Sequence, residues 1–161
     1  MKADPSYAAA WADLSAALSE AGEDGFAPLE QAKQESRLAA ERSLELDPNL
    51  PEAHVAMARY FIIDELDLVG GRREIQRALE LEPNNQWALG WASALASMRG
   101  DLQTGRLLAQ KSIASDPANP ARNKDLAFNY FRSGNYPEAL NAYHKVLDLN
   151  PVEYDRHFLP A

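Results

Sequence analysis

Residues 44–50 read LELDPNL and residues 79–85 read LELEPNN, nearly the same seven letters 35 positions apart. Proline has no N–H to continue a helix and pushes the residue before it out of helical angles, so each acid-proline step predicts a helix end. The same seam recurs as KADPSY (2–7), ASDPAN (114–119) and DLNPVE (148–153), which places prolines at Pro5, Pro48, Pro83, Pro117 and Pro151. Their separations are 43, 35, 34 and 34 residues. An interval near 34 fits one helix-turn-helix unit, so the chain reads as about four such units, the first lengthened by nine residues.

The interiors keep the same register. Five residues before the prolines stand Ser43, Ala78, Ser112 and Val146, and twelve before stand Ser36, Gly71, Gly105 and Ala139. Small side chains at these places are what close helix approach requires. Seventeen residues before a proline come Gly100 and Gly134, where a left-handed glycine closes a first helix cheaply. The second unit carries one extra residue and has Leu66 in place of that glycine, while Pro28 is expected to open a long second helix running to about Leu46. After each seam, Asn49, Asn85 and Asn119 are expected to cap the next helix, with Pro51 and Pro120 in its first turn.

This pattern resembles the tetratricopeptide repeat family along residues 6–151. It is fullest in the last unit, at Leu126, Ala127, Tyr130, Gly134, Tyr136, Ala139, Tyr143 and Pro151; the third unit departs, with Ala96 and Ala109 where aromatics are usual. The resemblance implies an all-α, right-handed superhelical solenoid of antiparallel helix pairs, a single domain over 1–161. Its repeats fall at about 6–48 with an insertion near 20–31, then 49–83, 84–117 and 118–151, leaving 152–161 as a cap or tail. The long first repeat, followed by DELDLVGGRREIQRALELEPNN and NPARNKDLAFNYFRSGNYPEAL, also resembles the repeat region of bacterial winged-helix regulators and nucleotide-cyclase-like signalling proteins. KADPSY reads like the end of an earlier repeat, as in a piece cut from a longer protein.

The resemblance implies a non-catalytic protein-protein interaction scaffold that binds a peptide or protein segment in a concave groove lined by first helices. The alternative is a regulatory or dimerising region of a larger signalling enzyme or transcription regulator, and self-association through uncapped ends is a third reading. The groove positions are expected at Ala9, Ala12, Ala16 and Ser19, then Glu52, Val55, Arg59 and Ile62. They continue with Trp87, Gly90, Ala94, Ser97 and Met98, and end with Ala121, Lys124, Phe128, Phe131 and Arg132. Arg59, Trp87, Lys124, Phe128, Phe131 and Arg132 are the candidate peptide-binding residues, because aromatics with arginine make binding hot spots. Aromatics at helical spacing also read as core, Phe131 more so than Trp87 and Phe128. A carboxylate-bearing partner suits the basic members, Arg132 offering a bidentate fork. A chaperone-tail clamp of the family's kind is disfavoured in the first two units, since Ala12 and Ala16 stand where its hydrogen-bonding side chains belong, and Asn123 and Lys124 are present only in the last.

Composition narrows the partner. Net charge is −8, with nine basic and eighteen acidic residues in 1–101 against seven and six in 102–161, so a nucleic-acid backbone is disfavoured. The chain has no cysteine, and its three histidines lack metal-ligand spacing, so no disulfide, metal, cofactor or active site is expected. LVGGRR at 68–73 lacks the lysine and hydroxyl of a phosphate loop, and Gly70 and Gly71 read as close helix contacts. His54 reads as a packed structural histidine. No apolar run reaches the roughly 18 residues a membrane span needs, and the reading is cytoplasmic or a soluble region of a larger protein.

Overall fold

The structure, a computed structural model, describes residues 7–150. Among them run α1 (Ala8–Glu23), α2 (Leu29–Leu46), α3 (Pro51–Arg59), α4 (Leu68–Leu81), α5 (Gln86–Met98), α6 (Leu102–Ser115), α7 (Pro120–Arg132) and α8 (Tyr136–Leu149). A π-helical turn, Tyr60–Asp64, extends α3. The chain divides into two compact units, Met1–Ala88 and Leu89–Ala161. In the first, α1 pairs with α2 and α3 with α4; in the second, α7 pairs with α8 and packs on α6. The tail proposed as a cap, with Tyr154, Phe158 and Leu159, lies outside the described residues.

The seams act as their chemistry dictates. α3, α5 and α7 each start three residues beyond a seam proline, with Pro51 and Pro120 in the first turn, where a missing N–H costs nothing. Asn85 Oδ1 accepts from the Ala88 N–H at 3.0 Å and Asn119 Oδ1 from the Ala121 N–H at 3.1 Å, satisfying donors that the helix cannot. Asn49 does not cap α3. Leu50 occupies that place, because Asn49 follows its proline by one residue rather than two, and its Oδ1 accepts from Arg77 instead.

The length irregularities have physical addresses. Relative to the last unit, α1 is three residues longer than α7, α2 is four longer than α8, and the intervening loop has two more residues, which together absorb the nine-residue excess. In the second repeat, within the first compact unit, the single extra residue is taken up by the π turn, since widening one turn is the least disruptive way to add a residue inside a helix. Small residues then seat the pairs: Ser36, Ser43, Ala78, Ser112 and Ala139 are buried, as are Gly71 and Gly105. A cluster of Ala12, Ala40, Ala56, Met57 and Tyr60, flanked by Leu44 and Phe61, forms the core of the first unit.

Gly100 and Gly134 close α5 and α7 with φ of 86° and 76°, and Leu66 holds the equivalent position with φ of 55°. A Cβ in the left-handed region clashes with its own carbonyl, costing about 1–2 kcal/mol. Leu66→Asn keeps the turn and relieves part of that strain, so we expect it to stabilise the protein by about 0.5–1 kcal/mol in urea denaturation.

Candidate functional site

Lys124, Phe128 and Arg132 follow one another at four-residue spacing on α7, so one helix face presents them together. All three are exposed, and the Arg132 guanidinium lies 5.8 Å from the Phe128 ring centroid. Phe131 is 54% exposed, with its ring edge-on to Tyr136 at 5.9 Å, so the core reading of Phe128 and Phe131 is overturned. Two rings and two cations standing in water on one helix make a surface suited to an anionic, partly apolar ligand.

The face stands on a rigid polar base. Asn129, 2% exposed, donates from Nδ2 to the Asp125 carbonyl at 2.9 Å and to Ser93 Oγ at 3.3 Å. Its Oδ1 lies 2.7 Å from Ser97 Oγ, whose hydroxyl also faces the Ser93 carbonyl at 2.8 Å, and Ser93 Oγ donates to the Gly105 carbonyl at 2.8 Å. One asparagine thus ties α7 to α5, and through Ser93 to α6. Beside it, buried Arg122 pairs with Asp125 at 3.7 Å. Gly90 leaves the space for this arginine, since a Cβ there would meet the guanidinium.

Burial pushes Asp125 up to about 6, against the opposing pulls of Arg122 and Lys124. The folded protein therefore takes up a proton that the unfolded chain, with a carboxyl near 3.8, has already released. Stability contributed by this group is present below pH 4 and is lost as pH rises through 6. We expect wild type to lose about 1–2 kcal/mol between pH 4.5 and 7 from this source, after allowance for solvent screening. Asp125→Asn should flatten that slope in urea midpoints measured at both pH values. Asp64, also raised by burial, contributes a slope of the same sign in both proteins and cancels in the comparison.

Other expected binding residues have different surroundings. Arg59 lies in the first unit, its side chain 17% exposed, forking to Glu20 and Glu23 at 3.0 Å each and to Ser19 Oγ at 3.2 Å. It binds the end of α3 to the end of α1. Trp87 is in the same unit and 46% exposed, so its core reading is overturned too. Ala12, Ser19, Ile62, Gly90 and Ser97 were expected in the groove, but all five are buried: helices this close together turn alanine, serine and glycine inward as spacers. Asn129, Ser93, Arg122 and Asp125 went unread in the sequence, although a glycine inside a helix, as at Gly90, signals a close approach.

His54 and Asn123 share one duty. Each stands six residues past a seam proline and is buried: His54 Nε2 donates to the Pro48 carbonyl at 3.0 Å, and Asn123 Nδ2 reaches the Pro117 carbonyl at 3.4 Å. His54 Nδ1 meets Glu74 Oε2 at 2.8 Å, which confirms a structural histidine. Among the described residues no group of three acids, histidines or cysteines could hold a metal, and no helix is long and apolar enough to cross a membrane.

Known proteins match this geometry. Residues 123–151 fit the tetratricopeptide repeat family profile. The transcriptional regulator HilA of Salmonella typhimurium is 26% identical over 104 residues, which are 64% of this chain and 19% of HilA; HilA of Salmonella typhi matches equally. The chain thus spans about a fifth of the curated relatives it matches. Among solved structures, Pseudomonas aeruginosa PilF superposes with a TM-score of 0.66 at 17% identity, covering 88% of this chain and 64% of PilF. PilW, a type IV pilus biogenesis factor, gives 0.68 at 15%, covering 92% and 64%. YrrB, a tetratricopeptide repeat protein with an unusual peptide-binding site, gives 0.61 at 17%, covering 88% and 72%. Residues 123–151 thus match the tetratricopeptide repeat itself, and paired helices on a 34-residue period give the described chain the same fold as these solved repeat proteins.

Proposed function

We propose that the chain is a non-catalytic scaffold that takes a peptide or protein segment on its first-helix face, with α7 as anchor. The observation that carries this reading is the exposed set Lys124, Phe128, Phe131 and Arg132 on one helix, braced from beneath by Asn129. YrrB's described peptide-binding site, on a chain of the same fold, supports it. Two cations suit a carboxylate, and the rings suit an apolar side chain beside it. Arg59 and Trp87 belong to the surface of the first unit, where Arg59 is already engaged by two glutamates.

Panning a random peptide library with free C-terminal carboxylates against the chain, then titrating the selected peptide, tests the reading. Lys124→Glu with Arg132→Glu should weaken binding at least tenfold, while helical circular dichroism and melting stay as in wild type. Equal affinity in the folded double variant would rule out the α7 face.

A further inference from the structure

We propose a second docking surface, on the turn edge of the first unit, that receives an amphipathic segment of a partner protein carrying lysine or arginine beside apolar anchors. Two turns form it. Arg59 bonds to Glu20 and Glu23 at 3.0 Å, which sets the end of α3 beside the end of α1, and Asp64 lies within the electrostatic reach of Glu23 and Lys33. The loop after α1 and the turn after the π helix therefore adjoin.

What these turns present is unusual for polypeptide that must only change direction. Residues 23–29 and 63–69 contain six large apolar side chains, five carboxylates and no lysine or arginine. Phe26, Leu66 and Val69 are 75%, 78% and 77% exposed. The corresponding turns of the second unit read Arg-Gly-Asp at 99–101 and Ser-Gly-Asn at 133–135, so the fold itself does not call for apolar residues there. Leu66 even holds a left-handed conformation that glycine takes in the other three turns, at Gly25, Gly100 and Gly134.

Charge selects the occupant. Glu23 is paired with Arg59, and apolar side chains among the remaining Asp24, Asp64, Glu65 and Asp67 favour a partner that brings both hydrocarbon and positive charge. An anionic bilayer is repelled by the same carboxylates. A second copy docking through the identical patch would set acid against acid.

A fluorescent peptide of leucines and lysines in helical amphipathic order is the probe, with a leucine-glutamate counterpart and phosphatidylserine vesicles as the other arms. The wild-type chain should bind the leucine-lysine peptide alone, with affinity falling as salt rises. The triple variant Phe26→Ser, Leu66→Asn, Val69→Gln should lose tenfold or more, whereas Leu107→Gln, an exposed apolar residue on α6, should change nothing. If the triple variant unfolds, Phe26→Lys alone still decides, since Phe26 is in an open loop and its loss should cost at least fivefold. Equal binding by the folded variant overturns the proposal. So does preference for the acidic peptide or the vesicles, or a dimer in sedimentation that the triple variant abolishes.

Discussion

Asn129→Leu should destabilise the second unit by about 2–4 kcal/mol, the largest loss expected from any single side chain in it. Leucine keeps the branching and heavy-atom count but its methyls are bulkier than the amide atoms, so part of the loss from this substitution is steric, the amide oxygen being packed against Gly105. It also removes the donor that reaches the Asp125 carbonyl and Ser93 Oγ and the acceptor facing Ser97 Oγ, at a position only 2% exposed. Ser97 retains the Ser93 carbonyl and Ser93 retains the Gly105 carbonyl, which keeps the loss below that of a fully orphaned network. Asn129→Asp is the sharper companion: its buried carboxylate faces the Asp125 carbonyl and should unfold the unit above pH 6 while being tolerated better near pH 4. Urea denaturation at the two pH values measures both variants. A loss under 0.5 kcal/mol for Asn129→Leu would mean that α5, α6 and α7 are held by apolar packing alone.

The fold was legible because proline and glycine act locally. A proline at a seam stops a helix whatever surrounds it, and Gly100 and Gly134 adopt the left-handed angles their positions announce. Even Leu66 could be identified as a turn residue, since the repeat period put it there. The π turn was legible only as one surplus residue; which helix would absorb it depends on packing of Tyr60, Phe61 and Ile62, which no local rule supplies.

The candidate site was read less completely, for a physical reason. Periodicity gives the face of a helix but not how closely its neighbour approaches. Ser97 and Gly90 were placed on the groove by spacing, yet close packing of small residues buries both. Asn129 lies between Phe128 and Tyr130 in the sequence and carries no signal of its own; only the juxtaposition of Ser93, Ser97 and Gly105 makes it central. Spacing likewise left Phe128 and Phe131 between core and surface, and favoured core at Phe131; only the packing of the neighbouring helices decides that both rings are exposed.

Gly71→Ala should cost the first unit about 2–3 kcal/mol, although alanine is the better helix former by about 1 kcal/mol. Gly71 is in the first turn of α4, and a Cβ there would overlap Ile62 Cγ1, come within 2.9 Å of Ile62 Cδ1 and within 3.3 Å of the Ala58 carbonyl. Ile62 is 3% exposed in the π turn, so it has nowhere to swing, and helices α3 and α4 must part. Shrinking the obstacle provides the decisive comparison. Ile62→Ala alone should lose about 2–4 kcal/mol through the cavity it leaves. In the double variant the new methyl enters that cavity, so the two losses should fall short of additivity by at least 1 kcal/mol. Thermal or urea melts of the four proteins yield this coupling directly. Additive losses would show that α4 has shifted as a body to make room, and that the contact between Gly71 and Ile62 does not set the spacing of the pair.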